Sequence, residues 1–89
     1  MDFKERLFSL GVLYYNEGRR EESTEFEPMT TKQFHEIVLN TSNKFSLSKT
    51  FFEKAFTVNP DVPELIEILS ELRSREFATI KFIEKWIDH

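Results

Sequence analysis

From Glu64 to Asp88 the chain runs without a single Gly or Pro, and the apolar residues keep one helical phase throughout. At about 100° per residue, Val62, Leu65, Leu69 and Leu72 point the same way as Ile80, Ile83 and Ile87. A strand, whose side chains alternate faces, cannot produce that pattern. Roughly a third of the chain is therefore committed to amphipathic helix. One helix over residues 61–88 spans about 42 Å at 1.5 Å per residue, whereas a compact chain of this length has a diameter of roughly 30 Å. Two outcomes satisfy that mismatch. In the first, Ser74 caps a further helix and the chain turns back, an outcome favoured by Glu76 lying inside the stripe. In the second, the helix is continuous and its far half finds cover on another chain, which makes Phe77, Ile80, Phe82, Ile83, Trp86 and Ile87 the candidate protein interface.

The remainder also reads as helix. Phe3, Leu7, Leu10 and Tyr14, widened by Phe8 and Tyr15, predict a helix from Asp2 to about Asn16. Gly11 falls inside that stripe at a cost of about 1 kcal/mol relative to Ala, tolerable where a second helix must approach closely, and Gly18 reads as its C-terminal stop. Residues 18–29, charged and without apolar period, read as a surface loop whose Phe26 and Met29 pin its far end to the core. Thr30 followed by Gln33 has the spacing of a capping box. Phe34, Ile37, Val38 and Thr41 then share one side of a helix from Thr31 to about Asn40, which the run NTSNKFS breaks. In the next helix, about Leu47 to Thr57, Leu47, Phe51, Phe52, Ala55 and Phe56 cover half of the wheel. Asn59, Pro60 and Asp61 supply a stop, and Glu64, three residues beyond Asp61, a start. The expectation is one all-α domain over residues 1–89: a compact bundle of four or five helices, with a long C-terminal helix where the chain does not turn at Ser74.

Composition narrows the function classes. Eighty-nine residues, 39% hydrophobic and 31% charged, fit one soluble domain with a modest core. The absence of Cys removes disulfides, thiolate metal sites and a cysteine nucleophile. Charged residues before any apolar run, and no stretch of about 18 apolar residues, give neither a signal peptide nor a membrane span, so the expected location is cytoplasmic. His35 and Glu36 lack the second His four residues on that a helical metal site requires, since Leu39 stands there, and the other histidine is the terminal His89. No metal, cofactor or small-molecule substrate is expected. Near pairs of carboxylates, such as Glu21 and Glu22 or Glu25 and Glu27, fall in the charged loop, whereas acid–base work needs a water-poor pocket. No catalytic residue is assigned, and the chain reads as a non-enzyme.

Charge and aromatic content point to macromolecular partners. Residues 1–29 and 59–89 each carry a net −3, residues 30–58 a net +2, so only the middle third attracts phosphate. Ten Phe against one Trp and two Tyr is first a core-packing signal, and in so small a core a surplus left exposed means a partner.

The stretches TKQFHEIV, LSKTFFEKAF and NPDVPELIEILSEL resemble the helix-turn-helix of phage-repressor-type regulators over about residues 31–72, and the opening FKERL is similar to their first helix. The resemblance implies that Ser48, Lys49, Thr50, Glu53 and Lys54 face a DNA major groove while Leu47, Phe52 and Ala55 face the core. The helix so assigned offers two Lys and no Arg, with Glu53 in the middle of its face. The first reading is accordingly a small non-enzymatic regulatory protein acting through protein contacts or self-association. Small acidic helical proteins of this kind resemble the inhibitors and adaptors of phages and mobile elements. A helix-turn-helix transcriptional regulator is the alternative.

Overall fold

The computed structural model describes residues 3–22 and 30–87. They form three helices: α1 (Phe3–Glu22), α2 (Thr31–Val58) and α3 (Pro63–Ile87). Among the described residues there is no strand. The all-α expectation holds, but the four or five helices become three.

Close approach fixes the α1–α2 pair. Gly11 and Gly18 stand seven residues apart on α1, and Phe52 and Phe45 stand seven apart on α2, so the two antiparallel helices mesh ring onto glycine. A Cβ built on Gly11 would lie 2.7 Å from Cε1 of Phe52, and one on Gly18 2.9 Å from Cε1 of Phe45. The Gly11 expectation is met. Gly18, expected as a stop, is instead buried mid-helix beneath Phe45, and α1 continues another turn to Glu22. Between the two rings, Ser48 is wholly buried and its Oγ donates to the Gly11 carbonyl at 2.7 Å.

The inward positions of α2, Phe45, Ser48, Phe52 and Ala55, follow a 3-4-3 spacing and alternate large with small. This register explains why NTSNKFS does not break the helix. Its Asn, Thr and Ser residues cost helix propensity of about half a kcal/mol each. Against that, Phe45 buries a ring worth about 2–3 kcal/mol, Lys44 pairs with Glu17 at 3.3 Å, and Thr41 Oγ1 donates to Glu21 at 3.3 Å. Tertiary contacts outweigh local preference, and the helices expected over 31–40 and 47–57 are one.

The capping box is present: Thr30 Oγ1 accepts from the Gln33 N–H, and Gln33 accepts from the Thr30 N–H. The stop at Asn59 is also present, with the Asp61 N–H donating to the Asn59 side chain. Helix α3 starts at Pro63, whose missing N–H costs nothing in a first turn. It packs antiparallel to α2, and Leu65, Leu69 and Leu72 join Leu7, Phe45, Phe52 and Ala55 in the core.

No break occurs at Ser74. Glu76 is accommodated inside the stripe because Lys49 of α2 reaches its carboxylate at 2.5 Å. Nor does α3, of 25 residues, outrun its own protein in the manner expected, because α2, of 28, runs beside it. The molecule is an elongated slab, 44 × 24 × 16 Å, not a 30 Å globule. Of the surface loop expected over residues 18–29, residues 18–22 are helical as the last turn of α1, and residues 23–29, with Phe26 and Met29, lie outside the described residues.

Candidate functional site

The long α2 divides the six residues of the expected interface. Its first turns carry Phe34 and His35, and these meet the end of α3. The Trp86 ring stacks on the His35 imidazole with centroids 3.6 Å apart and planes within 15°, and Phe82 sets its edge against both Phe34 (6.0 Å) and Trp86 (5.1 Å). Ile83 and Trp86 are half-buried within the chain. The side chain of Ile87, the last helical residue, lies outside the described residues. Phe82 still keeps 39% of its surface exposed despite those ring contacts, and the two most open are Phe77 at 64% and Ile80 at 49%. Three residues apart, they share one flank of α3, opposite Glu71 and Arg75.

The Glu71 and Arg75 flank holds α1. Tyr15 donates to the Glu71 carboxylate at 2.6 Å, and Arg19 in turn donates to the Tyr15 oxygen at 3.2 Å. Burial, then the hydrogen bond to Glu71, raises the Tyr15 phenol above its ordinary value of 10.0, against the opposing pull of Arg19. Arg75 pairs with Glu22 and Glu71 and lays its guanidinium 4.6 Å from the Phe45 ring centroid.

Next to Arg75 lies a groove of about 400 Å³, where α2 and α3 extend beyond the described end of α1. Its walls are mainly apolar, from Phe34, Ile37, Val38, Phe45 and Ala78. Of the polar groups at its rim, Thr41 is engaged with Glu21 and the terminal nitrogens of Arg75 with Glu22 and Glu71, whereas Arg75 Nε is buried without a hydrogen-bond partner among the described residues. Its lining contains no His, Cys or Lys, and the ionisable side chains among it are Glu21, Glu22 and Arg75. Among the described residues no three His, Cys, Asp or Glu side chains cluster as metal ligands would.

Of the five residues with implied DNA contacts, Thr50, Glu53 and Lys54 are exposed on α2, Lys49 is half-buried, and Ser48 faces inward. Ser48 is buried between α1 and α2. Lys49 is held by Glu76 at 2.5 Å and Glu53 at 3.7 Å. The hydrogen bond from Glu76 leads in raising the Lys49 ammonium above its ordinary value, while burial and the nearby Arg73 oppose it. Thr50 Oγ1 donates to the Ser46 carbonyl within its own helix, and Lys54 lies over Phe51. The turn that would separate two helices is itself helical. Leu47, expected in the core, is 42% exposed, whereas Phe52 and Ala55 are buried as expected.

Sequence reasoning passed over two further residues on the Phe77 and Ile80 flank. Arg73 and Glu84 lie one turn to either side of that pair, both are exposed, and neither has an ion-pair or hydrogen-bond partner among the described residues. Their spacing of 4, 3 and 4 from Arg73 through Phe77 and Ile80 to Glu84 was legible, but the apolar stripe drew attention to the adjoining face. Among the described residues no helix is long and apolar enough to cross a membrane. Comparison with known proteins finds no match: no family model, no curated protein and no solved structure is similar to this chain.

Proposed function

We propose that the chain is a small non-enzymatic regulatory protein, of the inhibitor or adaptor type, whose docking surface is the flank of α3 centred on Phe77 and Ile80. The observation that carries this reading is the exposure of those two large apolar side chains, 64% and 49%, in the middle of a rigid helix. Neither is needed by the fold, since the core is closed by Leu65, Leu69 and Leu72. Large apolar side chains adjacent on a helix, with charged residues at both ends, have the anatomy of an interface centre with a polar rim. The groove beside Arg75 is walled mainly by apolar side chains, and no His, Cys or Lys lines it, which weighs against a catalytic reading.

Site-specific photo-crosslinking in cells tests the proposal. A photoreactive residue replacing Phe77 is expected to capture a protein, itself or another, whereas the same group at the exposed Glu67, about 80° away around α3 and off that flank, is not. Equal or absent capture at the two positions refutes it.

A further inference from the structure

The occupant of the α3 flank is constrained by its pattern of charge. Ser70, Arg73, Phe77, Ile80, Glu84 and Ile87 recur at intervals of 3, 4, 3, 4 and 3, the spacing at which one helix lays a seam on another. The two apolar residues sit at the centre and the two charges flank them, with opposite sign and at equal distance. Arg73 and Glu84 each lie about 8 Å along the axis from the midpoint between Ala78 and Thr79, and Phe77 and Ile80 each about 2 Å. A sequence arranged this way is complementary to itself when reversed.

We infer that the partner of this flank is a second copy of the chain, with the two α3 helices packed antiparallel about a two-fold axis that passes between Ala78 and Thr79. The assignment rests on reading the flank as a docking surface and adds what occupies it. In this pairing Phe77 packs on the partner's Ile80, Ile80 on the partner's Phe77, and Arg73 meets the partner's Glu84 at both ends. The overlap runs from position 70 to position 87 of each helix, about 25 Å. A parallel pairing would set Arg73 against the partner's Arg73 and Glu84 against the partner's Glu84, so like-charge repulsion selects the antiparallel one.

The chain itself supplies no competing counter-ion to either charge among the described residues, and on the α2 side Arg73 has Lys49 as a neighbour, which repels it. The overlap leaves Ile66 outside. It lies nearer the start of α3, outside the span from position 70 to position 87 that the two copies of the helix share. One pair of helices over this length makes an interface at the small end of the specific range, so the dimer depends on concentration.

The test is sedimentation velocity of the full chain over a range of concentrations, with circular dichroism of every variant as the check on folding. Wild type is expected to shift from monomer to dimer as concentration rises. Arg73→Glu alone and Glu84→Arg alone each create two like-charge contacts and are expected to weaken the dimer by about ten- to hundredfold. The double variant Arg73→Glu/Glu84→Arg restores complementarity and is expected to recover dimerisation. Phe77→Asp is expected to give a folded monomer, because that side chain lies outside the core.

A wild type that stays monomeric throughout, a dimer untouched by Phe77→Asp, or a double charge reversal no better than the single ones would overturn the pairing. Crosslinking at position 77 separates this failure from that of the docking surface. Capture of a different protein by a chain that is monomeric alone leaves the surface standing and removes the second copy, whereas no capture and no dimer remove both.

Discussion

Substituting Gly11 by Ala inverts the ordinary effect of that change and so measures how tightly α1 meets α2. In an open helix Gly→Ala stabilises by about 1 kcal/mol, because it removes conformational freedom from the unfolded chain. At Gly11 the added methyl would lie 2.7, 2.8 and 2.9 Å from three carbons of the Phe52 ring. Phe52 is fully buried, with Phe8 packed edge-on at 5.6 Å and Ser48 and Ala55 on the same face of α2, so the ring has no room to swing aside. The helices must separate, which loosens the Ser48 bond to the Gly11 carbonyl as well. Overpacking costs about 1–3 kcal/mol, and more where the obstruction is rigid.

Set against the propensity gain, the net expectation is a loss of about 1–2 kcal/mol, which for a domain of this size lowers Tm by about 5–15 °C. Urea titration followed by circular dichroism, with Trp86 fluorescence as a local probe, provides the measurement. Ser9→Ala, at an exposed position of the same helix, serves as the control and is expected to be neutral or to stabilise by a few tenths of a kcal/mol. In a Phe52→Leu background the cost of Gly11→Ala is expected to shrink, giving a coupling of about 1 kcal/mol. If Gly11→Ala raises Tm as the control does, the contact is looser than described and the ring-onto-glycine account of the α1–α2 register is wrong.

Three other expectations follow from the same packing. Ser48→Ala leaves the Gly11 carbonyl with its helical partner alone and is expected to cost about 1 kcal/mol, read from the urea midpoint, whereas Ser48→Val, which also adds volume at a fully buried point, costs more. The raised phenol of Tyr15 makes the folded state hold that proton more tightly than the unfolded one. Its contribution is therefore complete below the ordinary value of 10.0 and is lost as pH rises through the higher folded value, so the alkaline fall in Tm is expected to be shallower in Tyr15→Phe. Removing the ring in Trp86→Ala, which holds the last turns of α3 only to the first turns of α2, is expected to raise hydrogen exchange there and leave the Leu65 to Leu72 region protected.

What could be read from sequence was set by local chemistry, and what could not was set by contacts across the chain. The Thr30 capping box, the stop at Asn59 and Pro60, and the amphipathic phases depend on residues within a turn or two of each other. The break expected at NTSNKFS is also sound as local chemistry, and it fails because Phe45 has a glycine opposite it on α1, 27 positions away in sequence. Gly18 illustrates the same ambiguity from the other side. A glycine near a helix end reads equally as a C-terminal stop or as the floor under a neighbouring ring, and only the partner helix decides between them. Lys49 and Glu76 repeat the lesson, since a carboxylate inside an apolar stripe suggests a turn until a lysine from another helix is found to meet it.

The candidate interface was half legible for a connected reason. Counting apolar residues along α3 identifies how much surface needs cover but not which helix provides it, and the length of α2 turns out to govern that. Once residues 31–58 form one helix, its first turns reach the end of α3 and take up Phe82, Ile83 and Trp86 through Phe34 and His35. Had α2 ended near Asn40, those three rings and branches would have stood open together with Phe77 and Ile80 as one broad hydrophobic face, able to accept almost any apolar partner. The continuous helix instead leaves Phe77 and Ile80 as the most open apolar pair between Arg73 and Glu84, with Phe82 partly covered and Ile66 exposed nearer the start of α3. A narrow apolar centre between fixed opposite charges discriminates among partners, because a mismatched one must bury apolar area and like charges together. The stretch of α2 with the poorest helix propensity thus governs both how the core closes and how selective the exposed part of α3 becomes.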